Sequence, residues 1–294
     1  MQHPLSLTHQ HLLSIINTEI LKRKTGGTLR ILDAGCGNGE LIYYLSRSLE
    51  ELHPEIRTEV YGLDVSDHHV QKDGFFDLTK TMLSERMPNI QWESRLSLIG
   101  QTEPWPYETA YFDCILSNQV CEHIFDHVDF FKRIKRHLKV DGFSCHLFPL
   151  KNYILEGHSR IPFAHRFKSF ETRKAFIKFM TRMGFGDFNS TEPKASRDQF
   201  SEDWAIKLAL DCFYSSPAEL INKSHCAGLV ASFKYTRCYY FSKIRSILRR
   251  RLNYTLKECW LAEWFCFLFF KYIASITLFL ENKVPTSIQQ GERH

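Results

Sequence analysis

Apolar residues form two alternating kinds of segment over the first half of the chain. Short apolar runs at residues 28–34, 59–65, 90–93, 112–117 and 143–148 are typical of buried strands. Residues 12–21, 40–52, 78–87 and 126–139 space their apolar positions as helices do. Because strands alternate with helices, the pattern predicts an α/β fold with a parallel sheet covered on both faces.

The regular alternation of predicted strands and helices ends after residue 150. Residues 151–167 have no clear period, and helices are predicted at 171–183, 203–214 and 217–226, followed by one or two strands within 229–240. The last segment is basic and then strongly apolar. We therefore predict one domain over residues 1–240 with a helical insert or cover at about 151–214, and a helical carboxyl-terminal extension over 241–294.

Charge and cysteine content exclude several classes of protein. The 294 residues carry a formal net charge of +5, and the basic residues of the first two thirds are scattered, so we expect no nucleic-acid partner. The nine cysteines form no CxxC pair and no regular framework, which argues against a zinc cluster and against a secreted disulfide scaffold. The start of the chain lacks the pattern of a signal peptide. A reducing, cytoplasmic location is therefore predicted.

The stretch "ILDAGCGNGE" at residues 31–40 places a glycine-rich turn between the first predicted strand and a helix. Such a turn presents backbone N–H groups and a helix N-terminus at the carboxyl end of the sheet, where open α/β folds bind ligands. The glycines alternate and do not match the G-x-G-x-x-G fingerprint of dinucleotide-binding proteins. Asp33 lies beside the turn, where a carboxylate repels a pyrophosphate but attracts an ammonium group.

The second predicted strand ends in "YGLDVS", which brings Asp64 to the neighbouring strand tip. A carboxylate at this position can accept hydrogen bonds from both hydroxyl groups of a ribose. An amine at Asp33, a ribose at Asp64 and no site for phosphates together indicate S-adenosylmethionine as the cofactor.

Four segments, "LDAGCGNGE", "YGLDVS", "PWPYETAYFDCILSNQVCEHI" and "LKVDGF", resemble the successive motifs of class I S-adenosylmethionine-dependent methyltransferases, in particular the subgroup with a Glu-His pair after the fourth strand. The resemblance covers about residues 29–150. It implies a Rossmann-like, mostly parallel seven-stranded sheet with helices on both faces. It also implies that the glycine turn packs on the methionine part of the cofactor, that Asp33 orders its ammonium group, that Asp64 holds the ribose, and that Ser117 and Asn118 contact the sulfonium side.

The cofactor-binding residues expected on this basis come from the tips of four strands. For the adenine contact, which relatives commonly make with an acidic residue, this chain offers the backbone and amide of Gly100 and Gln101. The full expected set is Asp33, Gly35, Cys36, Gly37, Asn38, Gly39, Asp64, Val65, Gly100, Gln101, Ser117 and Asn118.

The stretch "NQVCEHIFDHVDF" raises the question of acid–base or metal chemistry. His123 is the candidate catalytic residue, as a general base, and Glu122 is a candidate substrate-orienting residue. Glu122, His123 and His127 have spacings that a metal could use, but we expect the Glu-His pair to be structural and substrate-orienting, with no metal bound. Methyl transfer needs little acid–base assistance, because alignment of nucleophile and methyl carbon supplies most of the catalysis.

Two segments, the insert and the carboxyl-terminal extension, indicate which class of methyl acceptor to expect. His158, Arg160 and His165 lie among aromatic residues in the insert and are candidate substrate-binding residues for an anionic or sugar-like acceptor. Residues 243–257 are basic and residues 260–280 apolar, with Glu263 and Lys271 interrupting the run. This arrangement favours an interfacial helix at anionic lipids over a membrane span, while packing on the domain or on a second subunit remains an alternative.

We therefore predict an S-adenosylmethionine-dependent methyltransferase that acts on an oxygen or nitrogen of a small-molecule, saccharide or lipid-linked acceptor, with peripheral contact to the inner face of a membrane. Two alternatives remain open at this point. One is a non-catalytic protein that binds the cofactor as a scaffold, and the other is a nicotinamide-dependent oxidoreductase, which the glycine spacing disfavours.

Overall fold

A computed structural model describes residues 6–67, 73–189, 196–249, 253–273 and 275–283 of the chain. Its centre is a seven-stranded sheet with the strand order β3-β2-β1-β4-β5-β7-β6. The strands are β1 Thr28–Ala34, β2 Arg57–Val65, β3 Leu96–Ile99, β4 Phe112–Asn118, β5 Leu138–Phe148, β6 Val230–Ser232 and β7 Ile276–Glu281. Every pairing is parallel from β3 to β5, and β7 pairs antiparallel with both β5 and β6. The predicted Rossmann-like α/β fold is confirmed.

The helices of the described residues begin where the sequence supplies caps. Asp126 accepts hydrogen bonds from the backbone N–H groups of Val128 and Asp129 at the start of the helix after β4, and Ser216 and Glu219 form a reciprocal capping box further along. The helices are α1 Leu7–Arg23, α2 Glu40–Leu52, α3 Phe75–Arg86, α4 His127–His137, α5 Phe170–Arg182, α6 Arg197–Leu210, α7 Pro217–Cys226, α8 Thr236–Ile247 and α9 Trp260–Ile273.

Separate hydrophobic clusters fill the two faces of the sheet and the cover. One cluster joins β1 to α1 and α2, and another joins β4 to α4 and α7. A third lies within the cover itself, where Ile177 of α5 packs with Phe200 and Leu208 of α6. The cover is therefore a folded element with its own small core, which can hold side chains in fixed positions over the sheet edge.

The third strand does not lie where the apolar pattern predicted it. Residues 92–94 form a single 3₁₀ turn, and the strand that pairs with β2 is Leu96–Ile99. Trp92 is fully buried in the core beneath that turn, so the apolar residues at 90–93 reflect burial of a turn and not a strand.

The predicted strands at 229–240 are correct only for Val230–Ser232. Residues 236–247 form α8, and Tyr235, Cys238, Tyr239 and Ser242 are buried at helical spacing. The aromatic and β-branched composition of this segment favoured a strand, but packing on α1 and α9 selected the helix.

The prediction of helix throughout the apolar tail is wrong for its second half. Residues 276–281 form β7, which is inserted between β5 and β6, and its first five residues are fully buried. A continuous apolar run buried on both faces has no period that separates strand from helix. In chain order, α8 and α9 therefore come between β6 and β7. Residues 284–294 of the predicted extension lie outside the described residues.

Candidate functional site

The glycine turn after β1 closes tightly because its backbone has positive φ angles. Gly35 has φ +85° and donates its N–H to the carbonyl oxygen of Leu63 at 2.7 Å. A Cβ atom on Gly35 would lie 2.4 Å from Cγ2 of Val120, so a larger residue would collide with the segment after β4. Gly39 has φ +74°, and a Cβ there would meet Thr79 of α3 at 2.9 Å, so this glycine serves helix packing. The turn thus brings the tips of β1, β2 and β4 together.

Asp64 ties the glycine turn to β2. One carboxylate oxygen accepts the N–H of Gly37 at 2.7 Å, and the other accepts the N–H of Val65 at 2.8 Å. The side chain is almost fully buried but still lines the cavity at the strand tips. Because each carboxylate oxygen can accept more than one hydrogen bond, Asp64 keeps capacity for the hydroxyl groups of a ribose.

Asp33 presents a buried carboxyl group to the same cavity. Its carboxylate is 1% exposed, and its Oδ1 atom has no hydrogen-bond partner among the described residues. Burial, and then the nearby charge of Asp64, raise the pKa of Asp33 well above its usual range. Oδ1 of Asn118, across the turn, is buried and also lacks a partner within the described part of the chain. These two acceptors suit a ligand group that carries a positive charge and several N–H donors.

The cavity has a volume of about 1080 Å³ and opens at the carboxyl ends of the strands. Most of the cofactor-binding residues predicted from the sequence line it, together with the candidate catalytic residue. These lining residues are Asp33, Gly35, Cys36, Gly37, Asn38, Asp64, Val65, Gln101, Asn118 and His123.

Two further predicted cofactor residues, besides Gly39, are not on the cavity wall. The buried hydroxyl of Ser117 is hydrogen-bonded to Nδ1 of His146 at 2.7 Å, within the sheet. Gly100 donates its N–H to the carboxylate of Glu103 at 2.9 Å. The structure therefore does not place Ser117 or Gly100 where a side chain or backbone N–H would meet a ligand in the cavity.

The cavity wall also contains residues that the sequence did not single out. Asp67 follows Asp64 by three positions, and its carboxylate accepts the N–H of Gln101 at 3.0 Å. His9 reaches the wall from α1, and burial lowers its pKa. Asp67 could have been predicted from its position three residues after Asp64, whereas His9 belongs to a helix whose sequence carries no ligand-binding pattern.

The two residues of the Glu-His pair after β4 lie in different surroundings, Glu122 in the protein interior and His123 at the cavity. Glu122 is 1% exposed, and burial raises its pKa to about 8. Its backbone carbonyl accepts the N–H of Phe213, which fastens the cover to this segment at 2.6 Å. His123 lines the cavity, and its Nδ1 atom lies 2.5 Å from the carbonyl oxygen of Asp211. His127 is buried, and its pKa is lowered to about 4 by that burial.

The cover residues predicted to bind substrate are spread over separate positions. The imidazole of His158 lies against that of His123, with ring centroids 5.0 Å apart. Arg160 is paired with Asp187 at 3.2 Å and is largely exposed, and His165 is hydrogen-bonded to the backbone carbonyl of Lys151. None of these three side chains lines the cavity, so their role in substrate binding stays a prediction. The cover instead contributes Leu210, Asp211 and Phe213 to the wall.

Comparison with known proteins adds a family assignment. The family described as "Methyltransferase domain" matches residues 7–187, which include the glycine turn, Asp64 and the Glu-His pair. No curated protein sequence matches the chain.

Several solved structures are similar to the chain. An S-adenosylmethionine-dependent methyltransferase from Mesorhizobium loti is 14% identical with a TM-score of 0.48, over 90% of this chain and 96% of that chain. Phosphoethanolamine N-methyltransferase 2 from Haemonchus contortus, in complex with phosphomonomethylethanolamine and S-adenosylhomocysteine, is 15% identical with a TM-score of 0.43, over 92% and 53% of the two chains. A geranyl diphosphate methyltransferase in complex with S-adenosylmethionine is 13% identical with a TM-score of 0.44, over 92% and 85%.

Proposed function

Because the chain belongs to the S-adenosylmethionine-dependent methyltransferases, we propose that it methylates an oxygen or nitrogen of an amphiphilic, lipid or lipid-linked acceptor that is presented at a membrane surface. The observation that carries the proposal is an exposed apolar helix face that ends beside the cofactor cavity. The free cysteines of the chain suit a reducing compartment, so the proposed location is the inner face of a membrane.

The residues of the cavity fit S-adenosylmethionine. Asp33 and Asn118 offer unpartnered oxygens, within the described residues, for the ammonium group, and Asp64 remains able to accept from the ribose hydroxyls. The cofactor supplies a methyl group on a positively charged sulfur, which is already activated for displacement. The task of the protein is therefore to align the acceptor atom with that methyl carbon and to exclude water.

Helix α9 exposes an unbroken apolar face, which we call the outer face. Its residues recur in pairs four positions apart, and each is exposed to solvent: Trp260, Leu261, Trp264, Phe265, Leu268, Phe269, Tyr272 and Ile273. Glu263, which interrupts the apolar run in the sequence, lies on the inner side of the helix and accepts the N–H of Arg237 at 3.0 Å. The acidic residue therefore does not interrupt the outer face. Contiguous exposed apolar surfaces often mark interaction sites.

Basic residues lie in and after the neighbouring helix α8. Helix α8 packs on α9 and exposes further apolar residues, Phe241, Ile244 and Ile247, beside Lys243 and Arg245. Arg249 and Lys257 follow in the connection between the two helices. A cationic segment beside aromatic and aliphatic side chains is complementary to an anionic bilayer surface. Within the described residues, no helix combines the length and the apolar content that crossing a membrane requires.

The carboxyl-terminal end of α9 lies at the edge of the sheet where the cofactor cavity opens. Gln119 lines the cavity and donates a hydrogen bond to the hydroxyl of Ser275, just after α9, at 3.0 Å. Ile276 pairs with Phe148 at the carboxyl end of β5, the edge at which the cavity opens. Exposed Phe125 and Leu210 line the cavity as well. We therefore propose that a lipid bound at α9 reaches the methyl group from this end of the helix.

The test uses purified protein, labelled S-adenosylmethionine and a total lipid extract, either in anionic vesicles or dispersed in detergent. We expect label in the lipid fraction and co-sedimentation with anionic vesicles. The double variant Trp264→Glu/Phe269→Glu should bind vesicles at least about tenfold more weakly, since each buried aromatic side chain contributes about 1.5–3 kcal/mol. The same variant should retain transfer in detergent.

Leu78→Glu is the matched control, because Leu78 is 72% exposed on α3, far from this face in sequence. We expect it to bind vesicles as the unmodified protein does. Unchanged vesicle binding of the α9 double variant, dimerisation through α9, or label confined to water-soluble products would each contradict the proposal.

A further inference from the structure

Three side chains from separate segments meet beside the cofactor cavity in an arrangement suited to a metal ion. They are His123 after β4, His158 after β5 and Cys212 after α6, and one potential ligand atom from each lies within 4.8 Å of the others. We infer that these three residues bind a divalent transition-metal cation, with Zn²⁺ as the best match. Of the three, only His123 lies in a stretch whose spacing is compatible with a metal ligand, and the set as a whole forms no short motif because its members are far apart in the chain.

The orientation of His123 supports this inference. Its Nδ1 atom lies 2.5 Å from the backbone carbonyl oxygen of Asp211, and a carbonyl only accepts hydrogen bonds. Nδ1 therefore carries the proton, which makes Nε2 the nitrogen with the lone pair. Metal-binding histidines are commonly held in this way by a carbonyl or carboxylate on the other ring nitrogen. Asp211 directly precedes Cys212, so one short segment supplies both the orienting carbonyl and the thiol.

Two buried carboxyl groups lie in the segments that carry these residues. Glu122 precedes His123, is 1% exposed and has an Oε2 atom without a partner among the described residues. Glu156 is fully buried and accepts hydrogen bonds from the backbone N–H of His158 and from the hydroxyl of Tyr214. The oxygens of both groups would interact favourably with a cation held between the three segments.

The ligand set selects the class of cation. Two imidazole nitrogens and one thiolate favour Zn²⁺ and related borderline ions over Mg²⁺ and Ca²⁺, which require oxygen ligands. Three protein ligands leave a fourth position for water or another small ligand, and His123 and Asp211 both line the cavity. The ion would also join the cover, through His158 and Cys212, to the segment after β4. The inference does not depend on the chemical class of the methyl acceptor.

The test uses Co²⁺ as a spectroscopic probe on the full-length protein freed of metal by chelation. We expect one equivalent of Co²⁺ to produce a thiolate-to-cobalt charge-transfer band, and stoichiometric Zn²⁺ to abolish it by competition. Cys212→Ser should remove the band, and His158→Ala should weaken Co²⁺ binding at least about 100-fold. His225→Ala/Cys226→Ser is the matched control, because it removes one imidazole and one thiol from an exposed part of α7, and its band should be unchanged.

Two results would overturn the inference. One is the absence of a thiolate band in the unmodified protein, and the other is a band of equal intensity in Cys212→Ser. If Cys212→Ser does not fold, His158→Ala carries the comparison, and Co²⁺ affinity equal to that of the unmodified protein would count against the site. Neither readout requires methyl transfer, so failure here leaves the proposed function standing, and failure of lipid methylation leaves the metal site standing.

Discussion

Replacing Asp33 by Asn is expected to weaken S-adenosylhomocysteine binding at least about 30-fold, because the loss of one partner of a buried charge pair costs about 2–5 kcal/mol. Asp33 is 1% exposed, and its Oδ1 atom at the cavity has no partner among the described residues. The ammonium group of the ligand would be that partner, and the neutral Asn side chain would no longer attract its charge. Isothermal titration calorimetry of the two proteins measures the difference. Asp77→Asn, on the exposed side of α3, is the control and should bind as the unmodified protein does.

The same substitution should stabilise the protein without cofactor. Because burial and Asp64 raise the folded-state pKa of Asp33 above its unfolded value, the folded protein holds a proton that the unfolded chain has already lost between these two pKa values. The free energy of unfolding of the unmodified protein should therefore fall as pH rises through that interval. Asp33→Asn should lack this fall. A variant with unchanged cofactor affinity, or with lower stability at neutral pH, would show that Asp33 does not hold a buried charge for the cofactor.

Phe279→Ala is expected to lower the free energy of unfolding by about 3–5 kcal/mol, the usual cost of removing a fully buried aromatic ring. Phe279 lies in β7 and is 0% exposed. Its ring stacks on Phe143 of β5 at 5.4 Å between centroids, and the ammonium of Lys234 lies 3.7 Å from the ring centroid. Chemical denaturation, with extrapolation to water, measures the loss.

Phe269→Ala is the matched control for this substitution, because Phe269 lies on α9 and is 68% exposed. Its effect should stay within about 0.5 kcal/mol, as for other exposed positions. If Phe279→Ala does not fold, Phe279→Leu should fold with a smaller loss. Equal stability of Phe279→Ala and Phe269→Ala would mean that β7 is not part of the core.

Local sequence patterns were sufficient to predict the centre of the cofactor site. The apolar run of β1, the alternating glycines and the start of α2 follow one another within a few residues, so the type of turn can be predicted from a short stretch of sequence. Asp64 was predictable for the same reason, because it ends the strand that pairs with β1 in a parallel sheet. Asp33, Gly37 and Asp64 accordingly lie together as expected.

Features that depend on distant contacts could not be predicted from the sequence. Leu210, Asp211 and Phe213 reach the cavity because the cover folds on its own core and is fastened to Glu122, and no local pattern records that contact. The identity of β7 as a strand depends on the space between β5 and β6, since its apolar run has no distinguishing period. The grouping of His123 with Cys212 depends on the same placement of the cover.

Calorimetric titration with S-adenosylhomocysteine and with its analogue lacking the α-amino group tests most directly whether the cavity recognises the cofactor through Asp33. We predict that the parent compound binds at least about tenfold more tightly, since the ammonium group would interact with a buried carboxylate. NADH in the same assay should not bind measurably. Equal affinity for the two sulfur compounds, or NADH binding as tight as that of S-adenosylhomocysteine, would contradict the account.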